Sequence, residues 1–127
     1  MERVEKRSIM RRPSEEAVKL ANSIYFTAIQ SEEDNVYIPL NKLCKLFNIC
    51  DEPDMKARIT ALLEELREPI AVENFTYQRK EYKWKAMSFI TYTFSTENDQ
   101  EYVNIHLDRM FIEMMSKLEA EPYINFQ

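Results

Sequence analysis

The stretch Val36–Arg67, VYIPLNKLCKLFNICDEPDMKARITALLEELR, decides how the fold is read. Val36-Tyr37-Ile38 is a short strand-forming segment stopped by Pro39, and a proline suits the start of a helix because its missing N–H would find no partner there. A helix is predicted over 39–48, with Leu40, Leu43, Cys44 and Phe47 on its core face. Residues 49–53 read as a turn, with Asp51 or Glu52 as cap and Pro53 as the first residue of a further helix reaching Arg67. Met55, Ile59, Leu62, Leu63 and Leu66 recur at steps of three and four and form its buried stripe. Two helices joined by so short a turn make a helix-turn-helix pattern.

Upstream, Ser14 is placed to cap a helix over 15–30, and Glu15 and Glu16 favour the positive end of its dipole. Val18, Leu20, Ala21, Ile24, Tyr25, Ala28 and Ile29 give that helix a wide apolar stripe. Beyond Glu68-Pro69 the hydrophobic period changes from helical to alternating. Ile70, Val72 and Asn74 alternate with their neighbours, and 82–94 reads as one strand with Trp84, Ala86, Ser88, Ile90, Tyr92 and Phe94 on one side. A polar gap over 96–100 separates it from a strand over 102–107. Asn98 and Asp99 are predicted to turn the chain there, since they tolerate left-handed backbone best after glycine. The result is an antiparallel ribbon of two or three strands. Asp108 then caps a last helix through 118 with Met110, Phe111, Met114, Met115 and Leu118 on its apolar side, followed by a tail containing Pro122-Tyr123-Ile124.

Composition narrows the functional classes. With 127 residues the chain is long enough for one core and too short for two, so the expectation is one α+β domain over 14–127 behind an arm over 1–13. About nine glycines are usual at this length, and there are none. Phosphate-cradling P-loops, dinucleotide fingerprints and nucleophile elbows are thereby excluded, because each needs glycine where backbone closes on a ligand or turns through positive φ. His106 is the single histidine, and Cys44 and Cys50 lack the companions of a zinc site; buried, reduced thiols are expected. No enzyme, metal or cofactor is expected. The chain start carries no apolar signal segment and no run long enough to span a membrane, so a cytoplasmic protein without membrane contact is expected.

Net charge is −5, but it is unevenly spread: residues 1–13 carry +3 and the remainder −8. The basic arm reads as a flexible tail able to follow a phosphate backbone.

Helix, short strand, two helices and a ribbon is the element order of a winged helix, in which the ribbon is the wing and the third helix the usual groove reader. Particular stretches resemble a narrower family, the first winged-helix domain of the initiator Rep proteins of iteron-containing bacterial plasmids. They are the opening helix closing on Ala28-Ile29-Gln30, the helix in PLNKLCKLFNI, the leucine-rich helix and its exit in LLEELREPIAVEN, the strand YKWKAMSFITYTF with its central tryptophan, and the strand and helix in EYVNIHLDRMFIEMMSKL. Members of that family continue into a second domain that reads the iteron. The resemblance therefore implies, for 14–127, a domain for dimerisation and non-specific contact with duplex DNA at a replication origin, with host replication proteins as further partners.

Arg79, Lys80, Lys83 and Lys85, interleaved with Tyr82 and Trp84, form the sharpest candidate DNA contact. Lysines on a solvated edge strand, where they discourage aggregation, are the competing explanation. Lys56 and Arg58 on the third helix are weaker candidates, because Asp54, Glu64 and Glu65 share that helix. Trp84, Ile90, Tyr92, Phe94 and Ile105 are expected at a homodimer interface, as apolar ribbon surface a small domain cannot cover alone. A protein-binding winged-helix module without DNA binding, or a small transcriptional regulator, would also fit the acidic remainder of the chain.

Overall fold

Ser14 opens the helical part of the chain as the sequence predicts, its Oγ accepting the Ala17 N–H at 3.2 Å. This computed structural model describes residues 5–6 and 13–117. Helix α1 (Glu15–Ser31) is stopped by Glu32, whose left-handed backbone (φ 58°) turns its N–H onto the carbonyls of Ala28 and Ile29. Ala17, Leu20, Ala21, Ile24 and Ala28 are the residues α1 buries. Ile29, expected in that stripe, is exposed beside Phe26, because the inward face of the helix runs along the small residues that allow close packing.

Strand β2 (Asn35–Pro39) leads into α2 (Leu40–Leu46), and Pro39 ends the strand as the residue before the helix. Left-handed Asn48 (φ 56°) reverses the chain after α2, and the Ile49 N–H returns to the Cys44 carbonyl at 2.9 Å. That reversal brings Cys50 over Cys44, with Cα atoms 4.9 Å apart, and the two form a disulfide. The expectation of two buried thiols is thus overturned: Cys44 is buried, Cys50 is exposed, and neither is free. Helix α3 (Met55–Arg67) starts after Asp54 rather than at Pro53, and it buries Ile59, Leu62, Leu63 and Leu66 as the spacing predicts.

Four strands follow: β3 (Ile70–Tyr77), β4 (Lys80–Met87), β5 (Ile90–Glu97) and β6 (Gln100–Leu107). They do not make one ribbon. β3 and β4 pair as a hairpin in a sheet of order β1-β3-β4, where β1 is Glu5–Lys6, whereas β5 and β6 pair in a second sheet of order β2-β6-β5. The continuous strand expected over 82–94 is broken at Ser88-Phe89, where Phe89 is fully buried with its ring 5.7 Å from that of Phe111 on the last helix. Sinking this aromatic into the core is worth more than continuing the pleat, and the break passes the chain from one sheet to the other.

Both hairpins turn on two residues with positive φ, Gln78 and Arg79 (50° and 66°) in the first, Asn98 and Asp99 (52° and 62°) in the second. Two-residue turns of this hand match the natural strand twist. The Asn98-Asp99 turn agrees with the sequence; the Gln78-Arg79 turn carries no comparable signal. Strand β1 (Glu5–Lys6) pairs antiparallel with β3, through Glu5 with Glu73 and Lys6 with Val72. Part of the stretch expected as a flexible arm is therefore a strand, since the edge of β3 offers unfilled backbone groups. Arg3, Arg7, Arg11 and Arg12 of that arm, with Leu118 and the tail from Pro122, lie outside the described residues.

Helix α4 (Arg109–Lys117) is capped by Asp108, whose Oδ1 accepts the N–H groups of Met110 (2.9 Å) and Phe111 (3.4 Å). Phe75 and Met87 from the first sheet, Ile90, Val103, Ile105 and Leu107 from the second, and Phe111, Met114 and Met115 of α4 join the helix residues in one apolar core. Among the described residues, no helix is long and apolar enough to cross a membrane.

Candidate nucleic-acid interface

The two sets of cations singled out in the sequence end in opposite electrostatic situations. On α3, the Lys56 ammonium binds the Glu101 carboxylate at 2.7 Å and lies 5.0 Å from the centre of the Phe94 ring. The Arg58 guanidinium holds both oxygens of Glu52 at 2.7 and 2.8 Å and reaches Glu16 at 3.2 Å. Arg67 clamps Glu64 from the same helix at 2.8 Å. Glu65 caps α1 instead of lying idle, accepting the Ser14 N–H at 2.9 Å and its hydroxyl at 3.0 Å. Each α3 cation thus already has a carboxylate. The end of the β5–β6 hairpin adds Glu97, Asp99 and Glu101 and no cation, so carboxylates outnumber cations across α3 and its flanking ribbon.

The β3–β4 hairpin is the reverse case. Arg79 sits in its turn, Lys80 and Lys83 are exposed on β4, and Lys85 is half-buried. Among the described residues none of these four makes an ion pair. The Lys80 and Lys85 ammonium groups lie 5.3 and 5.8 Å from the centre of the Tyr82 ring, so the phenol gathers two positive charges at one point through its negative π-face. β4 is the outer strand of its sheet. Register sets Trp84 opposite Glu73 and Tyr82 opposite Phe75, while Asn74 (φ 54°) is skipped in the pairing. Phe75 is fully buried and ties the hairpin to the core. The hairpin carries four cations against Glu73 and Glu81.

The residues expected at a dimer interface are not brought together. Ile90 and Ile105 are each 1% exposed and belong to the core of the chain itself, because β5 and β6 turn them onto the helices. Tyr92 and Phe94 are half-buried and pack against that core, with their rings edge to face at 5.9 Å. Only Trp84 stands out, 61% exposed, and it lies in the other sheet. Ile90 and Ile105 are thus core residues rather than interface surface, because the second sheet turns them onto the chain's own helices.

His106 is exposed on β6, its Nδ1 3.0 Å from the Asn35 side-chain oxygen. Among the described residues no group of histidine, cysteine or carboxylate side chains is arranged to hold a metal ion. Set against known proteins, the chain matches no protein family, no curated protein and no solved structure.

Proposed function

We propose that the chain is a winged-helix domain of the plasmid replication-initiator type that holds duplex DNA at a replication origin by its phosphates, with the β3–β4 hairpin as the contact surface. The order α1, β2, α2, α3 followed by the β5–β6 hairpin supports the winged-helix reading, as does the pairing of β2 with the returning strand β6. On this reading β3–β4 is an additional hairpin between the third helix and the wing. The observation that carries the DNA contact is the contrast in charge state: Arg79, Lys80, Lys83 and Lys85 lack carboxylate partners among the described residues, while Lys56, Arg58 and Arg67 are bound to Glu101, Glu52 and Glu64. A cation held by a carboxylate must give that partner up before it can replace a counterion on DNA, whereas a free one does not.

The test is binding of a labelled duplex at several salt concentrations. With three to four phosphates neutralised, the logarithm of the affinity should fall with the logarithm of salt at a slope of about −3. Lys83→Glu with Lys85→Glu should reduce binding more than tenfold at low salt, and Lys56→Gln should leave it within about twofold. A helix whose cations are all engaged also reads no bases, so cognate over scrambled preference should stay below the roughly thousandfold of specific binders. Unchanged affinity in the double reversal would falsify the hairpin contact. The acidic β5–β6 end, with Glu97, Asp99 and Glu101, beside a helix whose cations are all engaged favours a second reading, a protein-binding module, for which no retardation of DNA is expected at moderate salt.

A further inference from the structure

We infer that the β3–β4 hairpin takes single-stranded DNA in preference to duplex, with Trp84 as the platform on which an unpaired base stacks. The inference rests on the hairpin being the nucleic-acid surface, and it names the form of DNA that surface fits. Trp84 is the largest side chain in the sequence and, at 61%, the most exposed large hydrophobic residue among the described ones. A lone exposed apolar side chain is ordinary on a protein surface; what distinguishes this one is its place on an outer strand beside Lys80 and Lys83, which no carboxylate holds among the described residues.

Its surroundings select the ligand. Alternation sends the stems of Lys83 and Lys85 to the face of β4 away from Trp84, but the ammonium groups of Lys80 and Lys85 gather 5.3 and 5.8 Å from the Tyr82 ring, so a strand laid along β4 across Trp84 meets positive charge at the neighbouring ring and at the turn, where Arg79 lies. Tyr82, one pleat away on the same side of the strand, has its face taken by the ammonium groups of Lys80 and Lys85. No such cation lies over Trp84 among the described residues, so the phenol gathers charge and the indole is left for stacking. Glu73, opposite Trp84, is engaged in an interaction of its own. A duplex hides its base faces inside the helix and offers an exposed ring only phosphate and groove edge. An unpaired strand presents a π-face beside each phosphate, the combination of stacking and charge that binds single strands without sequence preference. Stacking on an aromatic side chain is worth about 5- to 150-fold in affinity per base, enough to decide between the two forms when the phosphate contacts are the same.

Trp84 is also the single tryptophan, so the proposed platform reports on itself. The full chain is titrated with oligothymidylate of about 16 nucleotides, with a duplex of equal length, with oligouridylate and with inorganic polyphosphate, while indole fluorescence is followed. Quenching by oligothymidylate, little change with polyphosphate, and tighter binding of the single strand than of the duplex are expected. By anisotropy of a labelled strand, Trp84→Ala should lose about tenfold in single-strand affinity and Trp84→Phe less, while duplex affinity stays within about twofold. Because the ring lies outside the core, both variants should keep the helical circular dichroism of the parent. The inference is overturned if the duplex binds as well as the single strand, if Trp84→Ala weakens both alike, or if oligouridylate binds more tightly than oligothymidylate. Absence of binding to every nucleic acid overturns the proposed function along with it; salt-sensitive duplex binding without quenching by a single strand overturns the inference alone.

Discussion

The Tyr92 hydroxyl on β5 donates a hydrogen bond to the Glu64 carboxylate on α3 at 2.5 Å. Arg67, one helical turn beyond Glu64, holds both oxygens of the same carboxylate at 2.8 Å. The group joins the third helix to the second sheet, and it explains why α3 offers no free charge along this face. The Arg67 guanidinium first, and the Tyr92 hydroxyl second, hold the Glu64 carboxyl down at about 2. Burial first, and the neighbouring carboxylate second, push the Tyr92 phenol up to about 12.

These shifts bracket a pH window. A depressed carboxyl contributes stability that is present above its unfolded value and lost as pH falls through the folded one, here between about pH 4.5 and 2. A raised phenol contributes stability that is present below its unfolded value and lost as pH rises, here between about pH 10 and 12. Tyr92→Phe should cost about 1 kcal/mol near neutral pH, the low end for a bond to a charged group because the carboxylate is partly exposed and keeps Arg67. The melting temperature should fall by about 4 °C. Denaturant melts across pH check both effects: Glu64→Gln should flatten the acid limb, and Tyr92→Phe the alkaline one.

Glu32 offers the opposite kind of change. It ends α1 with φ 58° and is exposed, and a side chain with a Cβ is strained in that conformation where glycine is not. Glu32→Gly should therefore stabilise the chain by about 1 kcal/mol, read as a higher midpoint in urea with an unchanged slope. A lower midpoint would mean that the Glu32 side chain contributes more than its backbone costs.

The Cys44–Cys50 disulfide closes a loop of five intervening residues across the turn between α2 and α3. Restricting so short a loop in the unfolded chain is worth about 2 kcal/mol. Cys50→Ser should lower stability by about that amount, and the wild-type chain under reductant should fall to the level of the variant. Without reductant, the folded wild-type protein should show no thiol to a titrating reagent, since among the described residues no cysteine is free.

Local periodicity and capping chemistry made the helices legible. Ser14 and Asp108 cap α1 and α4 as their positions predict, and the stripe from Ile59 to Leu66 is the face that α3 buries. Each depends on interactions within a few residues of chain, which any reader of the sequence can see. Asn98-Asp99 was legible for the same reason, because the left-handed preference of those side chains is intrinsic. Gln78 and Arg79 have no such preference; the pairing of β3 with β4 on either side imposes their positive φ, and that pairing is a property of the sheet.

The candidate site divides along the same line. That Arg79, Lys80, Lys83 and Lys85 lie together followed from their closeness in sequence, and the wealth of acidic residues downstream of the arm showed that net charge alone would not bind DNA. Which cations stay free was decided only in three dimensions: Lys56 meets Glu101, 45 residues away, and Arg58 meets Glu16, 42 residues away. The burial of Ile90 and Ile105, the exposure of Trp84 and the joining of Cys44 to Cys50 belong to the tertiary structure as well. Alternation states that a strand has two faces, but it does not say which sheet the strand joins or what covers it. Here Phe89, by entering the core between β4 and β5, made that choice.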